Sequence, residues 1–438
     1  MDATHKITDR DRDLKRVVGP VGLAANVVNI VIGAGIFVLP AAVAREAGSA
    51  APLAYVACAV IMGGVALCFA DAGSRVPTSG GPYGYAETAF GPCAGFFMGG
   101  LIWLSAVLAA AGIGSALVDT LANFFPSLRD PVARACLIIV LFAVLALVNM
   151  RGAAPGARLV DFLTAAKLIP LCVFLVAGSV LVVPANLPLA APPSTQGFGR
   201  AMMLAIFAFS GMETALGVSG EVRMPSRSVP IGLLAAMATV TLFYIAIQLV
   251  AQGALGGALS NSPAPLADAL APLSRGLSLL LTAGAAVSMV GWLAGDVFSA
   301  PRVIYAAARD GFLPAWLGLV GARSHAPVAA ILVHVLMAAL LALTGTFVEL
   351  AILSTLATVG IYILGCASAM VLKKRGIAIA GTPIDLKGTG FAAVVGIGGM
   401  IWVAAQATLR EILGIAVALL MIGALYLLAR HLRSPSPR

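Results

Sequence analysis

The sequence predicts an all-α polytopic membrane protein with about twelve transmembrane helices, arranged as a 5+5 inverted repeat with discontinuous helices 1 and 6. Composition, the length of the apolar runs and two interruptions five runs apart predict it. The 438 residues are 61% hydrophobic and only 10% charged, with a mean hydropathy of +1.03. A water-soluble domain carries about 25% charged residues, so no water-surrounded core accounts for this chain. An apolar run of about 20 residues is long enough to cross a bilayer as a helix. Such runs fall at 18–46, 49–73, 92–122, 131–150, 158–182, 197–220, 230–254, 276–305, 326–345, 347–371, 389–407 and 411–430.

The first run contains NIVIGAGIFVLP at 29–40. Gly costs about 1 kcal/mol against Ala inside a helix and Pro about 3, so an ordinary membrane anchor would avoid this stretch. The run follows a charged leader and reads as a first transmembrane helix rather than a removed signal. The sixth run contains AIFAFSGMETALG at 205–217, where Ser210–Gly211 and the acidic Glu213 interrupt an apolar helix. Interrupted helices at corresponding positions point to an inverted-repeat transporter with its site at the bilayer midplane. The organisation expected is a cytoplasmic segment 1–17, repeats at 18–182 and 197–371, two appended helices at 389–430 and a cytoplasmic tail 431–438.

Unwinding a helix inside lipid frees N–H and C=O groups that lipid cannot satisfy, so it is tolerated only where the backbone lines a cavity. The half-helix starting near Ile36 offers free N–H groups and a positive dipole end, which suits a carboxylate. Unwound carbonyls near Phe207 and Ser210 suit an ammonium. Together they describe an amino acid. The competing reading is that these glycines only allow close helix packing.

The net charge is +9, but its placement sets topology rather than nucleic-acid binding. Roughly 20 of the 27 Lys and Arg lie at the termini and in the even-numbered loops, a bias that puts both termini in the cytoplasm of a cell (inner) membrane. The six cysteines form no CxxC pair and read as small core residues. No metal or cofactor motif is present, and neither HExxH nor GxxxxGK[ST] occurs. LAGD at 293–296 lacks the first Gly of GxGD, which weighs against a membrane-embedded enzyme.

Three stretches in order then resemble the amino acid–polyamine–organocation superfamily: GAGIFVLP, FAFSGMETALGVSGEVRMPSRSVP at 207–230, and VGWLAGDVFSAPRVIYAAARDGFLP at 290–314. Met224 departs from that pattern, where many members carry Asn. The resemblance implies a leucine-transporter-like fold and amino acid transport. It places the substrate ammonium on the carbonyls of Val31, Phe207 and Ser210, beside Gly211. It places the carboxylate on the N–H groups of Ala34, Gly35 and Ile36, beside Gly33. It implies aromatic gates at Phe207 and Trp292 and a third-helix wall of Ser105, Ala106, Ala110 and Ile113, with Ser354 a further candidate. That wall is small and apolar, and apolar surface tells one methylene from another by only about 1–3 kcal/mol. The expectation is several small to medium neutral amino acids. Glu213 and Asp296 keep a cationic side chain open.

Lys167 lies about 13 Å into the fifth run at 1.5 Å per residue. A charge at helix centre costs about 2.5–3.5 kcal/mol on insertion scales. Its ammonium is expected to take the place of a sodium ion and donate to carbonyls near Gly33. Burial disfavours a charged amine and carbonyl partners favour it, so a change of access could bind or release a proton. The resemblance implies the same for Lys167, and proton sensing for Glu213. Asp161 is a further acid in an apolar run. His334 reads as a satisfied core residue. The expected function is proton-coupled amino acid uptake by one copy or a homodimer. An exchanger or exporter on the same fold, including one for cationic amino acids or amines, is the alternative.

Overall fold

The computed structural model describes residues 18–432, apart from Ala34, Ser79, 152–156, 189–192, Ala322, Arg323, His325 and Ala380. The expected segment 1–17 and most of the tail 431–438 therefore lie outside the described residues, as do Ala34 and the side chain of Asp161. The helices, in order, are α1 (Pro20–Val31), α2 (Leu39–Ala47), α3 (Ala51–Arg75), α4 (Pro82–Phe90), α5 (Pro92–Leu121), α6 (Pro131–Met150), α7 (Ala157–Ser179), α8 (Thr195–Phe209) and α9 (Met212–Ala215). They continue as α10 (Pro225–Leu255), α11 (Pro265–Leu270), α12 (Arg275–Ser299), α13 (Pro301–Arg309), α14 (Val328–Thr344), α15 (Phe347–Lys374), α16 (Thr389–Ala404) and α17 (Leu409–Leu432). Among the described residues there is no strand, only an isolated bridge between Val18 and Val222.

Seven stretches are long and apolar enough to cross a membrane: α2 with α3, α5, α6, α10 with its following turn, α12 with α13, α15 and α17. Shorter apolar helices lie at Pro20–Val31, Ala166–Ser179, Val328–Thr344 and Thr389–Ala404. Each apolar run of the sequence coincides with helical backbone, and the 18–46 and 197–220 runs are each split in two. Helix starts follow local chemistry. Pro opens α1, α4, α5, α6 and α10, where its missing N–H is no loss. A capping box of Thr346 and Glu349 opens α15.

Burial separates centre from rim. In the apolar windows of α5 and α15, 78% and 72% of residues are buried, against none in α17. The central pair α5 and α15 packs together most extensively. Leu413, Val417, Leu420 and Leu428 of α17 are exposed, a surface that only lipid or another apolar partner can cover.

Two ties fix the broken helices. On the face where α1 begins, Val18 N–H donates to Glu221 O at 3.0 Å and Arg223 N–H to Val18 O at 2.8 Å. On the opposite face, Arg200 of α8 reaches Glu46 at the end of α2 (3.6 Å) and Glu411 at the start of α17 (3.2 Å).

Candidate substrate site

The two breaks meet. After Val31, Ile32 leaves the helix at φ −72° and ψ 77°, and a 3₁₀ turn at Gly35–Phe37 leads into α2. A Cβ on Gly33 would stand 2.9 Å from Cδ1 of Trp292, so the indole occupies the space a side chain would need. At the second break Ser210 is extended and Gly211 has φ +118°, a conformation that favours glycine. A Cβ on Gly211 would lie 3.1 Å from Cγ2 of Ile30, so the second break packs on the end of α1.

Breaking α1 redirects its hydrogen bonds. Gly33 N–H donates to Val31 O at 2.7 Å instead of Asn29 O. The Asn29 carbonyl takes the Lys167 ammonium instead. A cation at a helix C-terminus is favoured by the helix dipole. The Tyr244 hydroxyl lies 2.7 Å from Val31 O and 3.0 Å from Ala208 O. Its one proton thus serves a carbonyl at each break. The Glu213 carboxylate accepts the Gly211 N–H with both oxygens at 3.0 Å and the Tyr362 hydroxyl at 2.9 Å. Among the described residues no acceptor takes the N–H of Gly35 or Ile36.

A cavity of about 360 Å³ opens between the breaks. That is the lower end of the range for small-molecule pockets. On one side stand Val31, Gly33, Gly35, Phe207, Ser210 and Gly211, and on the other Ser105, Ala106, Ile113 and Trp292. Lys167 and Glu213 also line it. It extends along α1 to Asn26 and along α12 to Ser299, towards the face where α1 begins. No residue of α2 lines it, and the Phe207 ring meets Phe347 edge-on at 5.9 Å.

Several sequence expectations need correction. Ile36, Ala110 and Ser354 are buried and do not line the cavity. Ala110 is five residues from Ser105, about 140° around the helix, and faces away. Ser354 stands behind the wall, donating to Ser105 O at 2.9 Å while the Ser105 hydroxyl meets Thr358 at 2.7 Å. The Val31 and Phe207 carbonyls are not open acceptors in this conformation. Val31 O takes Gly33 N–H and Tyr244, and Phe207 O takes the Ser210 hydroxyl at 2.7 Å and N–H at 3.3 Å. Sequence reasoning missed Ile102, Ala109, Ser288 and Gly295 on the wall, although helical spacing from Ser105 and Trp292 pointed to them. It also missed Asn26, Asn29, Tyr244 and Ser299.

The amino acid permease family profile matches residues 18–427. The chain belongs to the amino acid permeases of the amino acid–polyamine–organocation superfamily. This permease is 27% identical over 411 residues to the vacuolar cationic amino acid transporter 4 of Arabidopsis thaliana, covering 88% of this chain and 68% of the relative. It is 27% identical over 344 residues to the branched-chain amino acid permease of Lactococcus lactis, covering 72% and 73% of the two chains. It is 26% identical over 328 residues to the methylthioribose transporter of Bacillus subtilis, covering 71% of each. These relatives are named as transporters or permeases, not enzymes.

Proposed function

We propose that this permease carries amino acids across a membrane by alternating access, as proton-coupled uptake of small to medium neutral amino acids. One observation carries the reading: two helix breaks face one cavity, with the Gly35 N–H, which meets no acceptor among the described residues, and a carbonyl cluster at Val31 and Ala208 that shares one hydroxyl proton. Donors for a carboxylate stand beside acceptors for an ammonium. An ammonium arriving at Tyr244 would supply the protons that a single hydroxyl lacks. The apolar wall of Ala106, Ala109 and Ile113 suits a neutral side chain. The relatives' names include methylthioribose, so the amino acid assignment rests on the backbone groups rather than on names.

Lys167 takes the coupling role in this reading. It donates to the Asn29 carbonyl at a point where the Gly33 N–H is turned to Val31 O, so re-forming or shifting the break changes what holds its proton. Glu213, clamped by Gly211 and Tyr362, supports the second break and senses its state. Repeats at 18–182 and 197–371 would rock about the site, in a plasma (inner) membrane with both termini cytoplasmic. The cavity's extension towards Asn26 and Ser299 fits an inward-facing state of that cycle.

The test is uptake of a radiolabelled amino acid panel into proteoliposomes holding the full chain. It is run with and without an inward proton gradient, and with empty or amino-acid-loaded lumens. Gradient-dependent accumulation into empty vesicles is the expected result. Uptake only into loaded vesicles, indifferent to pH, would replace symport by exchange. Uptake of no amino acid would overturn the substrate class.

A further inference from the structure

Tyr244, Gln248 and Gln252 follow one another at four-residue intervals on α10. Each step advances about 6 Å along the helix and turns about 40° around it, so the three form one file. They are 1%, 0% and 4% exposed. The file starts at the breaks, where the Tyr244 hydroxyl lies on Val31 O and Ala208 O. It runs away from the cavity's open end. α10 begins beside the start of α1, where a Cβ on Gly232 would stand 2.8 Å from Pro20 O. It ends in the turn Gly256–Asn261, whose Ser260 O accepts Nε of Arg45 at 3.1 Å, on the opposite face.

Beyond Tyr244 the polar atoms lose their partners. Among the described residues neither Oε1 nor Nε2 of Gln248 meets a hydrogen-bonding group, nor does Oε1 of Gln252. The Tyr55 hydroxyl on α3 is in the same condition. α3 packs along α10, and the Tyr55 ring stands edge-on to Tyr244 at 6.3 Å. All four atoms are shut off from the surface. Burying an amide or a hydroxyl without a partner is costly, and an apolar side chain of the same volume would avoid that cost.

The donor set says what fits. The stretches 51–62 of α3 and 244–252 of α10 contain no charged residue, so nothing on them balances an ion. Among the described residues no cluster of three His, Cys, Asp or Glu could hold a metal. An amide nitrogen only donates, an amide oxygen only accepts and a phenol does both, so the ligand must donate and accept at once. Water does, and a buried water makes about three hydrogen bonds to groups of this kind.

We propose that Tyr55, Gln248 and Gln252 hold a buried cluster of water between α3 and α10, on the opposite side of Tyr244 from the cavity's open end. Tyr244 thereby stands between two wet spaces: the cavity, which it lines, and the cluster, which no substrate needs to enter. A bridging water is nearly as good as a direct hydrogen bond. The cluster therefore ties α3 to α10 at this level without a direct polar contact between them.

The experiment is X-ray radiolytic footprinting of the full chain in lipid nanodiscs, in which hydroxyl radicals made from bound water label the side chains beside it. The Tyr55 ring is expected to be labelled at least about tenfold faster than Phe142, which is equally buried on α6 and carries no polar atom. Gln248→Met is the paired variant. With a hydrated amide, Q248M strands the water's remaining partners, so the thermal midpoint falls and Tyr55 labelling drops towards that of Phe142. A dry amide gives the reverse, a higher midpoint, because the variant removes an unpaired group. The proposal is overturned if wild-type Tyr55 is labelled no faster than Phe142, or if Q248M is as stable as wild type or more so. Should Q248M fail to fold, the wild-type labelling decides alone. Neither readout needs a transported substrate, so both stand apart from the uptake assay.

Discussion

At the first helix break the freed backbone groups are met largely by distant helices, whereas at the second they are met mainly from within. Lys167 reaches Asn29 O across 138 residues and Tyr244 reaches Val31 O across 213. At the second break Ser210 turns back onto Phe207 three residues away, and Glu213 onto Gly211 two residues away. The second break is thus held largely by its own residues, with Tyr244 of α10 on Ala208 O and Tyr362 of α15 on Glu213 as its outside ties. The first also draws on Lys167 of α7 and Tyr244 of α10, so a displacement of those helices is felt at the Asn29 and Val31 carbonyls. The difference teaches that the responsive half of the site is the first break.

The largest test of that contrast is Lys167→Ala. It removes the ammonium that donates to Asn29 O in a desolvated position, a loss of about 1–3 kcal/mol. Gradient-driven uptake is expected to fall to background and the thermal midpoint to drop. Wild-type uptake in K167A would remove the contrast's functional meaning. Next comes Gly211→Ala, which forces a side chain onto φ +118° and against Ile30. The strain costs about 1–3 kcal/mol, read as a lower thermal midpoint with reduced leucine counterflow. Ser210→Ala is the smallest. It removes one local hydrogen bond, worth about 0.6 kcal/mol inside a membrane protein. A midpoint shift in S210A as large as that in K167A would show that the second break is no more self-sufficient than the first.

The breaks were legible because Gly and Pro are costly in apolar helices, and Lys167 and Glu213 because charge is costly in lipid. Their partners were not legible. The acceptor for Lys167 is the backbone carbonyl of Asn29, which carries no mark in the sequence. Tyr244 and Tyr362 look like any aromatic in an apolar run until the fold turns their hydroxyls to Val31 and Glu213. His334 was read as a satisfied core residue, and it is wholly buried. What satisfies it lies on two other helices, and that makes it part of the cavity wall's chemistry. On α5, Ser105, Ala106 and Ile113 line the cavity and Ala110 does not.

The Arg200 cluster joins the end of α2 and the first turns of α8 to the start of α17 through two carboxylates, with the guanidinium 20% exposed. A partly hydrated ion pair is within reach of dissolved salt, whose screening length is about 8 Å at physiological ionic strength. The latch on that face therefore loosens as the bathing medium becomes more saline, while the carbonyls and hydroxyls at the breaks, with no net charge, are largely indifferent. Brine and fresh water would thus act on this molecule at its rim.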